Sequence, residues 1–126
     1  MKYDKTKTDL SLLPPEALES IARVFQFGAE KYSAFDWRYD GPNTEWLRTY
    51  SSIQRHLHAW AKCEDIDPES GLDHLSHAAT QLLILITHVK ENTNMDNRYR
   101  KNNDNRKNSK RTKAKIHTED IYYSQQ

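Results

Sequence analysis

The chain has 126 residues, room for one domain and not two. Hydrophobic residues make up 36% of it, below the globular norm, and 19 Lys and Arg against 18 Asp and Glu leave a net charge of +1. A single cysteine, Cys63, excludes a disulfide framework and suits a reducing cytoplasm, and the longest apolar run, Leu82 to Ile86, is far too short to span a bilayer.

Residues 2–13 read as an extended arm that ends at Pro14-Pro15. Two prolines halt a preceding helix and suit the first turn of a new one, where no amide donor is needed. The first helix is expected over about 15–33, with Leu18, Ile21, Ala22, Phe25, Ala29 and Tyr32 as its apolar stripe. Residues 33–43 have loop chemistry, unusually rich in aromatics: Phe35, Trp37 and Tyr39. A second helix is expected from a cap at Asn43 or Thr44 to about Cys63, burying Trp46, Leu47, Tyr50, Ile53, Leu57 and Trp60. Asp65-Ile66-Asp67-Pro68 breaks it. A third helix is expected from Pro68, capped by Asp67, to about Glu91, with Leu72, Leu75, Ala78, Ala79, Leu82, Leu83, Ile86 and Val89 facing the core.

Residues 91–126 hold seven asparagines and almost no aliphatic side chains, with nine Lys and Arg against five Asp and Glu, a net +4. Residues 1–90 carry ten against thirteen, a net −3. The expectation is therefore a domain over 1–90 and a basic, Asn-rich, disordered tail over 91–126, because such a tail buries too little apolar surface to offset its ordering entropy. The tail reads either as a solubilising extension or as a nucleic-acid contact; its apolar Ile121-Tyr122-Tyr123 would dock on the body or on a second subunit. A core of about 90 residues is small, so further stability should come from a homo-oligomer, from metal or from both. No strand alternation, repeat or hairpin signal is present, and the fold expected is all-α, a small helical bundle.

Four histidines, His56, His58, His74 and His77, fall close together among carboxylates. Imidazole and carboxylate are the usual ligand set for a divalent metal. His74 and His77 stand one helical turn apart; His56 on the second helix and Glu69 ahead of them would complete a site if the two helices pack antiparallel. The plainer reading is a set of half-buried histidines with ordinary hydrogen bonds. Glu16-x-x-Glu19 reads either as a carboxylate pair for Mg²⁺ or Mn²⁺ or as acidic residues favoured by a helix N-terminus. Lys31, Tyr32, Trp37, Arg38 and Arg55 combine cations with aromatics, the pairing a nucleotide asks for, or else a core plug and solvated charges. There is no glycine-rich phosphate loop.

Several stretches together, Lys2-Tyr3-Asp4 with Lys7, Leu10-Ser11-Leu12-Leu13-Pro14-Pro15-Glu16-Ala17-Leu18, Ala22-Arg23-Val24, Phe27-Gly28-Ala29-Glu30-Lys31-Tyr32, Asp36-Trp37-Arg38, Arg55-His56-Leu57-His58-Ala59-Trp60 and Asp67-Pro68-Glu69-Ser70-Gly71-Leu72-Asp73-His74-Leu75-Ser76-His77-Ala78, resemble the phage dATP/dGTP diphosphohydrolase family, MazZ-type, over about residues 2–90. The resemblance implies an all-α, MazG-like architecture and hydrolysis of a purine deoxynucleoside triphosphate to monophosphate and pyrophosphate, which in some phages helps supply precursors for 2-aminoadenine-containing DNA. It also implies a host-cytoplasmic location. MazG-like enzymes carry Glu-x-x-Glu and Glu-x-x-Asp metal motifs, and His74-x-x-His77 stands where the second is expected.

The resulting expectation is a divalent metal held by His56, Glu69, His74 and His77: Mg²⁺ or Mn²⁺, with Co²⁺ or Zn²⁺ compatible with the histidines. Asp73 or Glu19 would orient the attacking water, Lys31, Arg38 and Arg55 would hold phosphates, and Trp37 or Tyr32 would stack on a purine base. Two other classes remain: a nucleotide-sequestering protein without turnover, and a nucleic-acid-binding accessory protein that uses the tail.

Overall fold

The computed structural model describes residues 6–39, 45–91 and 93–101. Among them the secondary structure is helical, with one isolated bridge between Ile66 and Asp73. Three helices carry the fold: α1 (Pro15–Lys31), α2 (Trp46–Ala61) and α3 (His74–Glu91). Helix α3 packs against both α1 and α2. Asn43, Thr44 and the tail from 102 onward, with the expectations attached to them, lie outside the described residues.

Pro15 occupies the first turn of α1 as its fixed φ favours. The preceding arm is not fully extended: Leu10–Leu12 forms a 3-10 turn in which Asp9 accepts the Ser11 amide at 3.0 Å. Helix α1 stops at Lys31 rather than 33, where the Tyr32 amide closes back on the Gly28 carbonyl. Its most buried residue is Val24, and the expected stripe residues Leu18, Ala22 and Tyr32 are exposed.

Helix α2 has no capping side chain of its own. Its first amides are met instead by the segment that follows α3: the Trp46 amide donates to the Met95 carbonyl at 3.1 Å and the Leu47 amide to Asn97 Oδ1 at 3.0 Å. Trp46 Nε1 donates to the Thr93 carbonyl, and the Arg98 guanidinium lies 5.1 Å over the Trp46 ring. Residues 93–98 are therefore a strap docked on the body. A hydrogen-bonding Asn needs no aliphatic content to be held in place, which composition alone does not register.

The third helix begins at His74, six residues later than the expected Pro68. Asp67-Pro68-Glu69-Ser70-Gly71 instead forms a tight turn. The Gly71 amide donates to the Asp67 carbonyl, the Asp67 amide to the Leu72 carbonyl, and the Ser70 amide to Asp67 Oδ2. Gly71 sits at φ +74, where a side chain is strained. The true cap of α3 is Asp73, whose Oδ2 accepts the Ser76 amide at 2.8 Å.

The faces of α3 are the largest departure from expectation. Its inward side carries His74, Ser76, His77, Thr80, Ile84 and His88 together with Ala78, the one buried member of the expected stripe, while Leu75, Leu82, Leu83, Ile86 and Val89 point outward, Leu82 being 48% exposed. The apolar stripe found by periodicity is real, but its large aliphatic members lie on the outer face of the described fold. Burying polar groups while leaving leucines in water is unfavourable unless the polar side has a task and the apolar side a cover.

Candidate functional site

A cleft of about 1000 Å³ opens between the C-terminal half of α1, the aromatic loop after it, the inner face of α2 and the inner face of α3. One end is basic and rich in imidazole; the other is aromatic. The tight turn at 67–71 supplies the floor of the imidazole end.

His56, on α2, and His74 and His77, on α3, do converge. His56 Nδ1 and His74 Nδ1 are 2.8 Å apart, and the His56 ring stacks on that of His77 with centroids 4.7 Å apart and planes 9° from parallel. His77 Nε2 lies 2.6 Å from Ser70 Oγ and 3.6 Å from Asp67 Oδ2. His74 Nε2 faces Glu64 Oε1 at 3.5 Å. The convergence comes from local folding: antiparallel α2 and α3 juxtapose their inner faces, and the turn at Gly71 brings Asp67 and Ser70 back over the first turn of α3.

Burial disfavours the charged form of two of these imidazoles, His56 and His77. Burial lowers the pKa of His56, and the neighbouring imidazoles of His77 and His74 lower it further, against Asp67. Burial lowers His77 too, with Asp67 opposing. For Asp67, burial pushes the carboxyl up, but the Ser70 hydroxyl and amide and the two histidines outweigh it, so the carboxyl titrates below its usual range.

Other residues singled out from the sequence fall differently. Glu69 lines the same cleft as His56 and His77 but takes Lys31 Nζ at 2.5 Å, and that hydrogen bond raises the lysine pKa. Arg55 lines the cleft and donates to the neutral Ser51 hydroxyl at 2.9 Å. Trp37 lines the aromatic end together with Phe25, ring centroids 5.8 Å apart. Arg38 lies behind that wall, 4.6 Å over the Trp37 ring and ion-paired to Glu91 at 2.9 Å. Tyr32 is exposed at the rim beneath the Lys31 ammonium. Asp73 is spent as the α3 cap; burial raises its pKa, but the Ser76 hydrogen bonds bring it below normal. Glu19 is exposed and paired with Arg23 at 3.0 Å, away from the cleft lining.

Sequence reasoning missed four contributors. Asp67 looked like a helix cap and Ser70 like part of the third helix's first turn, though the Asp67–Gly71 spacing of a tight turn was the available signal. Thr80, which donates to the Ile21 carbonyl at 3.4 Å, and His88 were hidden because the inner face of α3 was taken for the outer one.

Whether these donors suit a metal is a question of chemistry and arrangement. Among the described residues no three of His, Cys, Asp and Glu already form a group that would hold an ion. The imidazoles are closed on one another and on Ser70, so an ion would have to exchange those bonds. The nitrogen-rich set with Asp67 beside it matches a borderline ion such as Co²⁺ or Zn²⁺ better than the oxygen-preferring Mg²⁺ or Mn²⁺, and Glu69 is committed to Lys31.

Residues 1–98 match a family described as dATP/dGTP diphosphohydrolase, N-terminal. A protein named dATP/dGTP diphosphohydrolase from Salmonella phage PMBT28 is 34% identical over 98 residues, covering 78% of this chain and 32% of that protein. The matched region thus spans about a third of the relative's length. No solved structure matches.

Proposed function

Because the chain belongs to the dATP/dGTP diphosphohydrolase N-terminal family, we propose that it hydrolyses purine deoxynucleoside triphosphates to the monophosphate and pyrophosphate in a divalent-metal-dependent reaction. The observation that carries this reading is one cleft with stacking surfaces at one end and convergent imidazoles beside a carboxylate at the other. A nucleotide has the same polarity: a flat base and a chain of phosphates.

In this reading Arg55 meets a phosphate directly, since its present partner is a neutral hydroxyl. Lys31 joins by leaving Glu69, an exchange of one oxyanion for another. Trp37 supplies the face for the base, with the Arg38 guanidinium packed over its ring. His56, His74, His77 and Asp67 would hold the metal, which neutralises phosphate charge and acidifies a water when bound. Asp67 replaces Asp73 and Glu19 as the group best placed to orient a water, because its Oδ2 lies at the cluster and the other two are committed elsewhere. Ser70 fixes the His77 ring through the 2.6 Å contact.

We also infer that a second copy of the chain covers the outer face of α3. Leu75, Ala79, Leu82, Ile86 and Val89 recur at spacings of four, three, four and three, a seam suited to another helix, and their exposed area is of the order of the 300–600 Å² at which patches mark interfaces.

The test is His77→Ala, assayed for pyrophosphate release from dGTP. Loss of turnover in a variant that keeps its helical content supports the assignment. Unchanged turnover removes the proposed role of the cluster. Nucleotide that is bound but recovered intact after long incubation with Co²⁺ would favour sequestration instead.

A further inference from the structure

We propose that His88 reads the base, its Nδ1 accepting a hydrogen bond from an N–H on the Watson–Crick edge of the bound purine. The inference rests on the nucleotide reading of the cleft and adds the residue that selects the base.

His88 is 3% exposed and forms part of the cleft wall at its aromatic end. Its Nε2 is 3.0 Å from the Trp37 carbonyl oxygen. A carbonyl only accepts, so Nε2 carries the hydrogen, and in the neutral ring Nδ1 is left as a bare acceptor. Among the described residues Nδ1 is buried without a hydrogen-bond partner. Buried polar atoms are nearly always satisfied, and an orphan calls for a cause. Here the surroundings supply one: the Trp37 ring packs 5.8 Å from the imidazole and 5.8 Å from Phe25, an aromatic corner in which a flat heterocycle would stack.

The spacing agrees. His88 is eleven residues beyond His77 on α3, about 16 Å along the axis at 1.5 Å per residue. The aromatic corner and the imidazole cluster are thus at opposite ends of one wall, with Thr80, Gln81 and Ile84 between them. An extended nucleoside triphosphate lying along α3 would put its phosphates at His77 and its base edge at His88. Nδ1 is shielded from water by the present packing, so a purine edge meets it only by taking the place of the Trp37 ring against the imidazole. Adenine offers its 6-amino group and guanine its N1–H and 2-amino group. A base without an edge donor leaves Nδ1 unsatisfied.

The experiment is equilibrium binding to the full chain of dATP against its 6-unsubstituted purine analogue, and of dGTP against its 6-methoxypurine analogue, which lacks both donors. Wild type should prefer the parent of at least one pair about tenfold, the size of one net hydrogen bond. His88→Gln keeps an amide N–H where Nε2 meets the Trp37 carbonyl but loses the acceptor at Nδ1; it should bind parent and analogue alike. His88→Asn places an amide oxygen near Nδ1 and gives up the Trp37 bond; it should retain the preference with weaker binding overall. A purely structural role for His88 predicts the reverse ordering of the two variants. Equal binding of both pairs by wild type, or a preference that survives in His88→Gln, overturns the inference while leaving nucleotide binding intact. Failure of wild type to bind any nucleotide overturns the functional reading and the inference with it.

Discussion

Asn97→Ala removes a cap that comes to α2 from fifty residues away. In the native fold Asn97 Oδ1 accepts the Leu47 amide at 3.0 Å, Nδ2 faces Glu45 Oε2 at 3.4 Å, and the residue is 9% exposed. Leu47 is the second residue of α2, so its amide has no partner within the helix. Losing a cap whose partly buried amide then finds no other acceptor costs about 2 kcal/mol, the upper end of the range for a cap. In a domain of about 100 residues each kcal/mol moves Tm by roughly 4–8 °C, so the variant should melt roughly 8–16 °C below wild type. Thermal unfolding followed by far-UV circular dichroism reads this directly. A Tm within about 2 °C of wild type would refute the reasoning, because the strap would then contribute nothing that a cap contributes. The consequence extends to the cleft, since α2 carries Thr49, Ser52, Arg55 and His56 along its wall.

The metal-free protein should lose stability in mild acid. His56 and His77 have folded pKa values depressed below the usual imidazole value of about 6.5, so the unfolded chain binds protons first. The stability is complete above that usual value and falls as pH drops through the folded values; melting in chelator from pH 8 to pH 5 checks it, and the double variant His56→Gln, His77→Gln should show a flatter profile. Gly71→Ala places a Cβ at φ +74 in open space, so it should cost about 1–2 kcal/mol by backbone strain alone and register as a lower Tm. Leu82→Glu with Ile86→Lys should convert an oligomer to a monomer in sedimentation experiments; wild type that sediments as a monomer would show that a second copy does not cover α3.

The helices were legible because their signals are short-range. Pro14-Pro15 marked the start of α1 correctly, and the apolar period of α3 is present as expected. What periodicity does not fix is which side of a stripe faces inward. On α3 the aliphatic residues outnumber the histidines, and any composition rule turns the leucines in; the fold turns His74, His77 and His88 in because they meet partners on α1, α2 and the loops. The convergence of His56 with His74 and His77 was legible from one helical turn and a short connection. The pairing of Glu69 with Lys31 was not legible because the DPESG stretch was read as helix rather than as a turn around Gly71, and the same misreading hid the roles of Asp67 and Ser70. Asn97 could not be found from sequence, since nothing local connects it to Leu47.

Phosphorus NMR of the products formed from dGTP, in the presence of Co²⁺, tests the central claim most directly. The account predicts two species, dGMP and inorganic pyrophosphate, in equal amounts, with both absent when a folded His77→Ala chain replaces wild type. Inorganic phosphate and dGDP would place cleavage at the wrong bond, and dGTP recovered whole from wild type would contradict hydrolysis altogether.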